Sequence, residues 1–313
     1  MKRAIIVGAG GQDGFWLTRN LAACGRLVLG LSRGAAERSD GESFPAVDIL
    51  DPAQAAKAVE LFRPDEIYYL AAFHHSSQSG ALCDSASLRE KSWRVNVVGP
   101  SNFLAAMAAH APEARFFYAS SCLIFGDSGQ PVQNEETPFR PVCVYGRAKA
   151  EGTGICAERR DKGLFASAGI LYNHESERRP PHFLSQKIAM AAAAASRGEE
   201  GELVLGDLSA RGDFGYAPDF VEAMRRVLEI DAPGDFVVAT GESRGVTDWL
   251  DAAYGAVGLD WRGRVREDPS LIARRRPPMI GDASRLRCLT GWAPRTSFSD
   301  MASRMVLAAG GRP

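Results

Sequence analysis

The chain begins with a short β-branched run, Ala4-Ile5-Ile6-Val7. It passes directly into Gly8-Ala9-Gly10-Gly11-Gln12-Asp13-Gly14 and then into the helical pattern of Phe15-Trp16-Leu17. Few folds accept that order. A strand turning through glycines at 8, 11 and 14 into a helix brings the partial positive charge of the helix N-terminus to the turn, and lets a pyrophosphate approach the backbone closely. An ordinary strand-to-helix turn also uses glycine. The strand, glycine and helix sequence, placed this early, favours dinucleotide binding, with Gly8, Gly11, Gln12, Asp13 and Gly14 as its residues.

Further apolar runs at 27–31, 66–70, 115–119 and 165–171 have the texture of buried parallel strands and alternate with helix-like segments. That alternation predicts βαβ crossovers in an α/β, doubly wound, Rossmann-type parallel sheet. From about Asn173 the texture changes to Arg/Pro-rich loops interrupting helical stretches at 218–228 and 284–289. The expected division is a dinucleotide-binding domain over 1–172, with a return segment near 210–240, and a smaller C-terminal substrate-binding lobe over 173–313.

Composition sets the outer bounds. With 313 residues, 45% of them apolar, the chain can bury a full core. A net charge of -1 gives no electrostatic reason to expect nucleic acid or a membrane surface as partner. The Ala-rich run at 188–195 is about half the roughly 20 residues of a membrane span. Residues 4–7 are too short for a signal peptide, and the six cysteines (24, 83, 122, 143, 156 and 288) form no C-x-x-C pair. These features predict a cytoplasmic chain with reduced thiols and no metal site.

The second strand ends in Leu31-Ser32-Arg33-Gly34, with no acid to accept ribose hydroxyls. Arg33 suits a 2′-phosphate and favours NADP(H) over NAD(H), the competing view being a solvated loop arginine. Asp48 follows an expected third strand at 45–47 and is read either as acceptor for an adenine amine or as a helix N-cap. Tyr145 and Lys149 stand one turn apart on a helix expected to begin after Pro138 and Pro141. There the ammonium is expected to depress the phenol pKa so that Tyr145 exchanges protons near neutrality. Ser121, just past the 115–119 strand, is placed to hydrogen-bond the substrate oxygen that Tyr145 protonates.

Together these residues resemble the extended short-chain dehydrogenase/reductases, the NAD-dependent epimerase/dehydratase family. The fuller matches are to the GDP-mannose 4,6-dehydratase and GDP-4-keto-6-deoxy-mannose reductase branch. They include Gly11-Gln12-Asp13-Gly14, Pro64-Asp65-Glu66-Ile67-Tyr68, Leu70-Ala71-Ala72, Asn173-His174-Glu175-Ser176, Gln186-Lys187-Ile188, Val221-Glu222-Ala223-Met224 and Ala239-Thr240-Gly241-Glu242. The resemblance implies that Ile49, Leu70, Ala71 and Ala72 border the cofactor, and that Asn173 and Lys187 belong to a nucleotide-sugar site. It also implies a homodimer.

Three departures qualify it. The family's Ser-Thr-Ser-Glu-Leu-Tyr-Gly is here Ser120-Ser121-Cys122-Leu123-Ile124-Phe125-Gly126, so the dehydratase acid is replaced by Leu123. Its Lys-Arg-Asp-Trp becomes Arg211-Gly212-Asp213-Phe214, leaving Arg211 to serve the diphosphate. Its Arg-Pro-Thr-Glu-Val-Asp becomes the stretch beginning at Arg274. The expected activity is therefore an NADPH-dependent 4-keto reductase on a GDP-linked (6-deoxy)hexose. The alternatives are a 4,6-dehydratase with Asp127 or Glu135 as substitute acid, an epimerase using Cys122 and His174, and a non-catalytic NADP or nucleotide-sugar binding protein.

Overall fold

The computed structural model describes residues 1–73, 85–272 and 278–312. In chain order the first half runs β1 (Arg3–Val7), α1 (Gln12–Ala23), β2 (Leu27–Ser32), β3 (Ala35–Arg38), α2 (Pro52–Phe62), β4 (Glu66–Tyr69), α3 (Ala86–Trp93), α4 (Gly99–His110), β5 (Arg115–Ala119), β6 (Val132–Gln133), α5 (Val144–Asp161) and β7 (Phe165–Leu171). The second half runs β8 (Asn173–Glu175), α6 (Leu184–Ser196), β9 (Leu203–Leu205), β10 (Arg211–Tyr216), α7 (Ala217–Val227), β11 (Asp235–Val238), β12 (Ser243–Gly245), α8 (Val246–Gly255), β13 (Val265–Glu267), β14 (Ile280–Gly281), α9 (Ser284–Thr290) and α10 (Phe298–Ala308).

The central sheet has seven strands in the order β11-β7-β5-β4-β1-β2-β3, all parallel except β3. Its strands are apolar because both faces are covered. Ile6, Tyr68, Phe117 and Ile170 pack under α1 and α7 on one face, while Ile5, Ile67, Phe116 and Ala168 pack under α2 and α4 on the other. The five runs read from sequence are β1, β2, β4, β5 and β7.

The third strand expected at 45–47 does not form. Gly34, at φ +73°, instead turns the chain straight back, and Ala35–Arg38 pairs antiparallel with β2 at the sheet edge. Pro45 has no N–H to offer a ladder, and of the three residues only Val47 is buried.

Of the return segment expected near 210–240, α7 packs on α1 and β11 adds the last strand of the main sheet. β10 does not rejoin it. It lies between β8 and β12 in a small three-stranded sheet of the C-terminal lobe. That lobe has its own core, in which Trp249, Leu250, Met301 and Met305 are essentially buried beneath α6, α8 and α10.

A polar cluster closes the opposite, amino-terminal edge of the main sheet. The Glu66 carboxylate is fully buried and accepts from Arg26 Nε at 2.9 Å, Arg26 Nη2 at 3.1 Å, the Tyr68 hydroxyl at 2.9 Å and Lys2 Nζ at 3.4 Å. Arg26 reaches on to Glu229 at 2.7 Å. Burying a carboxylate this completely is tolerable only with such saturation.

Candidate active site

Two adjoining clefts open at the carboxyl edge of the sheet. The first, about 410 Å³, is lined by Gly8, Leu31, Ser32, Arg33, Gly34, Val47, Asp48, Ile49 and Ala71 among others. The second, about 440 Å³, is lined by Asp13, Leu70, Ala72, Ser121, Cys122, Leu123, Tyr145, Lys149, Asn173, His174 and neighbouring residues. Leu70, Ala71 and Ala72 leave β4 between them.

The glycine turn fits the cofactor expected of it. Gly8 has φ +98°, and a Cβ there would lie 2.7 Å from the Ala71 nitrogen. A Cβ on Gly14 would overlap the Gly8 carbonyl and Ala9, so only glycine lets α1 pack this closely on the turn. No side chain caps α1 at Gly11, which leaves its first-turn N–H groups to an anion.

Arg33 is exposed at the mouth of the first cleft. Asp48 shares that rim, and its carboxylate accepts from the Leu50 N–H at 2.9 Å. The N-cap role considered for Asp48 belongs to Asp51, which accepts from the Ala53 and Gln54 N–H groups at the start of α2.

The catalytic candidates converge in the second cleft. The Cys143 thiol caps α5 by accepting from the Gly146 N–H at 3.3 Å, and Tyr145 and Lys149 follow on the first turns. A Cβ on Gly146 would overlap the Leu123 carbonyl, so α5 lies directly on the 122–124 turn. Lys149 is 1% exposed, donates to the Ala119 carbonyl at 2.7 Å, and lies 5.7 Å from the Tyr145 ring centre. Ser121 lines the cleft and also accepts from the Leu123 N–H at 3.3 Å, so it caps and faces the site at once.

The expected depression of the tyrosine is not found. Burial, with Cys122 nearby, raises Tyr145 above its ordinary value, and burial pulls Lys149 down to about 7. Desolvation dominates at both groups, and the cation that opposes it at Tyr145 is Arg179.

Asn173 lines the cleft with its amide Nδ2 donated to the Asp213 carbonyl at 2.9 Å. Lys187 lies on α6 but not on the cleft wall, although Leu184 and Ser185 at the start of that helix do line it. Arg211 is turned to Ser243 and Asp248 and lines neither cleft, while Arg274 lies outside the described residues. Neither substitute acid reaches the cleft lining. Asp127 is exposed, and the Glu135 carboxylate accepts from the Val237 N–H at 2.8 Å. The carboxylates in the lining are Asp13, beside His174, and Glu175, beside Arg179 at 2.9 Å and Ser185 at 2.5 Å.

Sequence reading missed two features. The Gln12-Asp13 turn and the Asn173–Ser176 segment are zipped together. Gln12 donates to the His174 carbonyl at 3.0 Å, Ser176 donates to Gln12 at 2.9 Å, Trp16 donates to Ser176 at 3.1 Å, and His174 Nε2 meets Asp13 at 3.0 Å. Asp213 is a fully buried hub accepting from Thr240 (N–H and hydroxyl) and the Gly241 and Gly281 N–H groups, with its pKa raised by burial despite those bonds. It joins Arg211-Gly212-Asp213-Phe214 to Ala239-Thr240-Gly241-Glu242 and Gly281-Asp282, three stretches whose pairing no local pattern announces.

A Rossmann sheet with a glycine turn leading into a Ser/Tyr/Lys cleft defines an epimerase/dehydratase-type short-chain dehydrogenase/reductase. Comparison with known proteins narrows this. The family model for GDP-mannose 4,6 dehydratase matches residues 5–305, and the chain belongs to that family of nucleotide-sugar-modifying enzymes. It is 33% identical over 330 residues to GDP-mannose 4,6 dehydratase 2 of Arabidopsis thaliana, covering 97% of this chain and 86% of that one. It is 32% identical over 341 residues to GDP-mannose 4,6-dehydratase of Sinorhizobium fredii (strain HH103), covering 97% and 95%. Among solved structures, RMD from Pseudomonas aeruginosa complexed with NADPH superposes with a TM-score of 0.81 at 21% identity, covering 100% of both chains. The UDP-glucose 4-epimerase of Thermus thermophilus in complex with NAD gives 0.79 at 23%, covering 98% of both. These structural likenesses speak to the fold alone. The sequence relatives are named for dehydration, which favours that activity over the ketoreduction preferred from sequence.

Proposed function

We propose that this chain transfers hydride between NADP(H) and C4 of a GDP-linked hexose, and that its net reaction is reduction of a 4-keto sugar. The observation that carries the reading is the cleft wall itself. Ser121, Tyr145 and Lys149 meet there, while Leu123 occupies the place of the dehydratase acid and the carboxylates of the described lining are each engaged, Asp13 by His174 and Glu175 by Arg179.

NADPH, when bound, supplies the hydride. Ser121 orients the carbonyl oxygen. Tyr145, held protonated by burial, is loaded to give its proton to the oxygen as it gains negative charge. Lys149 holds the end of β5 through the Ala119 carbonyl and lies close enough to Tyr145 to favour a tyrosinate electrostatically once the proton has left. Arg33, with no acid after β2, supports NADP(H) over NAD(H). Leucine exchanges no proton, so among the described residues position 123 offers nothing to remove the C5 proton or assist loss of the C6 hydroxyl.

The second reading is 4,6-dehydration of GDP-mannose, which the names of the relatives favour. Asp127 and Glu135 do not line the cleft, so it requires proton transfer from another group. The epimerase reading is weakened because both ring nitrogens of His174 already have partners.

The deciding experiment incubates the protein with GDP-mannose alone and, separately, with GDP-4-keto-6-deoxy-mannose plus NADPH, following absorbance at 340 nm and product mass. NADPH consumption with a two-dalton gain supports reduction. Loss of water from GDP-mannose overturns it in favour of dehydration, and NADPH bound but never oxidised would mark a binding protein.

A further inference from the structure

His174 sits where the cofactor turn and the substrate cleft meet, and its partners fix its protonation state. Nδ1 lies 2.7 Å from the Tyr172 carbonyl oxygen, and Nε2 lies 3.0 Å from Oδ2 of Asp13. A carbonyl oxygen accepts only, and so does an ionised carboxylate. With Asp13 ionised, as its lowered pKa favours, both ring nitrogens donate and the ring is an imidazolium. It is further held by stacking on Phe220 of α7, with centroids 4.8 Å apart and planes at 23°.

Of the surrounding charges, Asp13 favours that state and Arg179 opposes it. Burial works against the cation, but Asp13's charge and hydrogen bond more than offset it and raise His174. In turn His174, with Gln12 and Arg179, brings Asp13 below its ordinary value despite burial. Arg179 faces the pair from the loop after β8, and Tyr145 and Lys149 face Asp13 from α5. Phe220, from α7, brings no charge.

Both side chains line the second cleft, but they come from two elements that, on the proposed reading, face different ligands. Asp13 is in the first turn of α1, the helix whose N-terminus suits the pyrophosphate. His174 is in β8, between Asn173 and Glu175 of the cleft lining. We propose that His174 is a positioning residue which, as an imidazolium bridging Tyr172 and Asp13, couples the two sites so that cofactor and sugar nucleotide raise each other's affinity. This rests on the reading of the two clefts as NADP(H) and sugar-nucleotide sites. The coupling is reciprocal, because both ligands favour one arrangement of a shared element.

The test is a pair of binding titrations that needs no turnover. NADPH affinity is measured by its fluorescence with and without saturating GDP-mannose, in the wild type and in H174Q and D13N, from pH 6 to 9.5. The readout is the ratio of the two affinities, since titration of Lys149 shifts each one separately. The wild type is expected to bind NADPH about tenfold more tightly with GDP-mannose present, a coupling of ordinary size. The ratio is expected to fall toward one as pH rises through the His174 titration, and to be near one in both variants at all pH values.

A ratio in the wild type that is near one at pH 7, or constant across the range, overturns the proposal whether or not the variants fold. A ratio unchanged in a folded variant, checked by circular dichroism melting, does so too. Failure of the wild type to bind NADPH, or to bind GDP-mannose in a separate calorimetric titration, instead removes the reading of that cleft on which the proposal rests, and only with both bound does a ratio near one count against the coupling.

Discussion

The two walls of the second cleft differ in what they retained. Along α5 the chemistry is complete: Tyr145 and Lys149 stand one turn apart, and Ser121 is within the same cleft. Directly beside them the 122–124 turn, fixed by the Ser121 cap and by the close packing of Gly146, presents leucine at 123. On the proposed reading one part serves hydride transfer, while the other holds leucine where the family resemblance leads one to expect an acid. The comparison teaches that family membership and local chemistry answer different questions, since the first is decided by the whole chain and the second by one side chain.

The largest expected effect tests the intact wall. Y145F removes the proton donor and should lower kcat for keto-sugar reduction by at least about a hundredfold, with NADPH binding retained in fluorescence titration. Turnover near the wild-type level would mean that the proton comes from elsewhere.

Next, K149M should cost activity and yet stabilise the fold. The folded Lys149 titrates near 7, against 10.5 in the unfolded chain. Between those values the unfolded chain binds the extra proton, so stability rises with pH across that window and the cost of the buried lysine is greatest toward neutrality and below. K149M should therefore gain on the order of 1–3 kcal/mol at pH 7 in urea unfolding and show less dependence on pH between 7 and 10.5.

The altered wall is tested by L123E. Placing an acid there should raise water loss from GDP-mannose, read by mass spectrometry, by about tenfold over the wild type, short of the roughly hundredfold that a fully positioned general acid/base contributes. A wild type that already dehydrates, with no gain in L123E, would erase the difference between the walls.

The smallest effect concerns the neighbouring cleft. R33A should weaken NADPH about fivefold, roughly 1 kcal/mol, and leave NADH unchanged in parallel titrations.

Most of the Rossmann half was legible in the sequence because its rules are local. Parallel strands covered on both faces are plain apolar runs, and Gly8 and Gly14 are demanded by a turn only glycine can make. Tyr145 and Lys149 are joined by helical spacing alone. What escaped reading depends on distant partners. The edge strand Ala35–Arg38 follows from a hairpin at Gly34 in a polar stretch with no alternating pattern. The strands of the C-terminal lobe are as short as two or three residues, and hubs such as Asp213 organise them through bonds spanning 27 to 68 positions. The raised Tyr145 escaped for a related reason, since helical spacing gives the position of its lysine and says nothing of how deeply both are buried.

The Glu66 cluster sits at the end of the sheet farthest along the strands from the clefts. Lys2 and Arg26, from the first turns of the chain, converge there with Glu229, which follows α7, around a carboxylate in β4. For anyone re-engineering this scaffold, that separation offers two independent dials: robustness can be adjusted at one rim of the sheet while substrate preference is redesigned at the other.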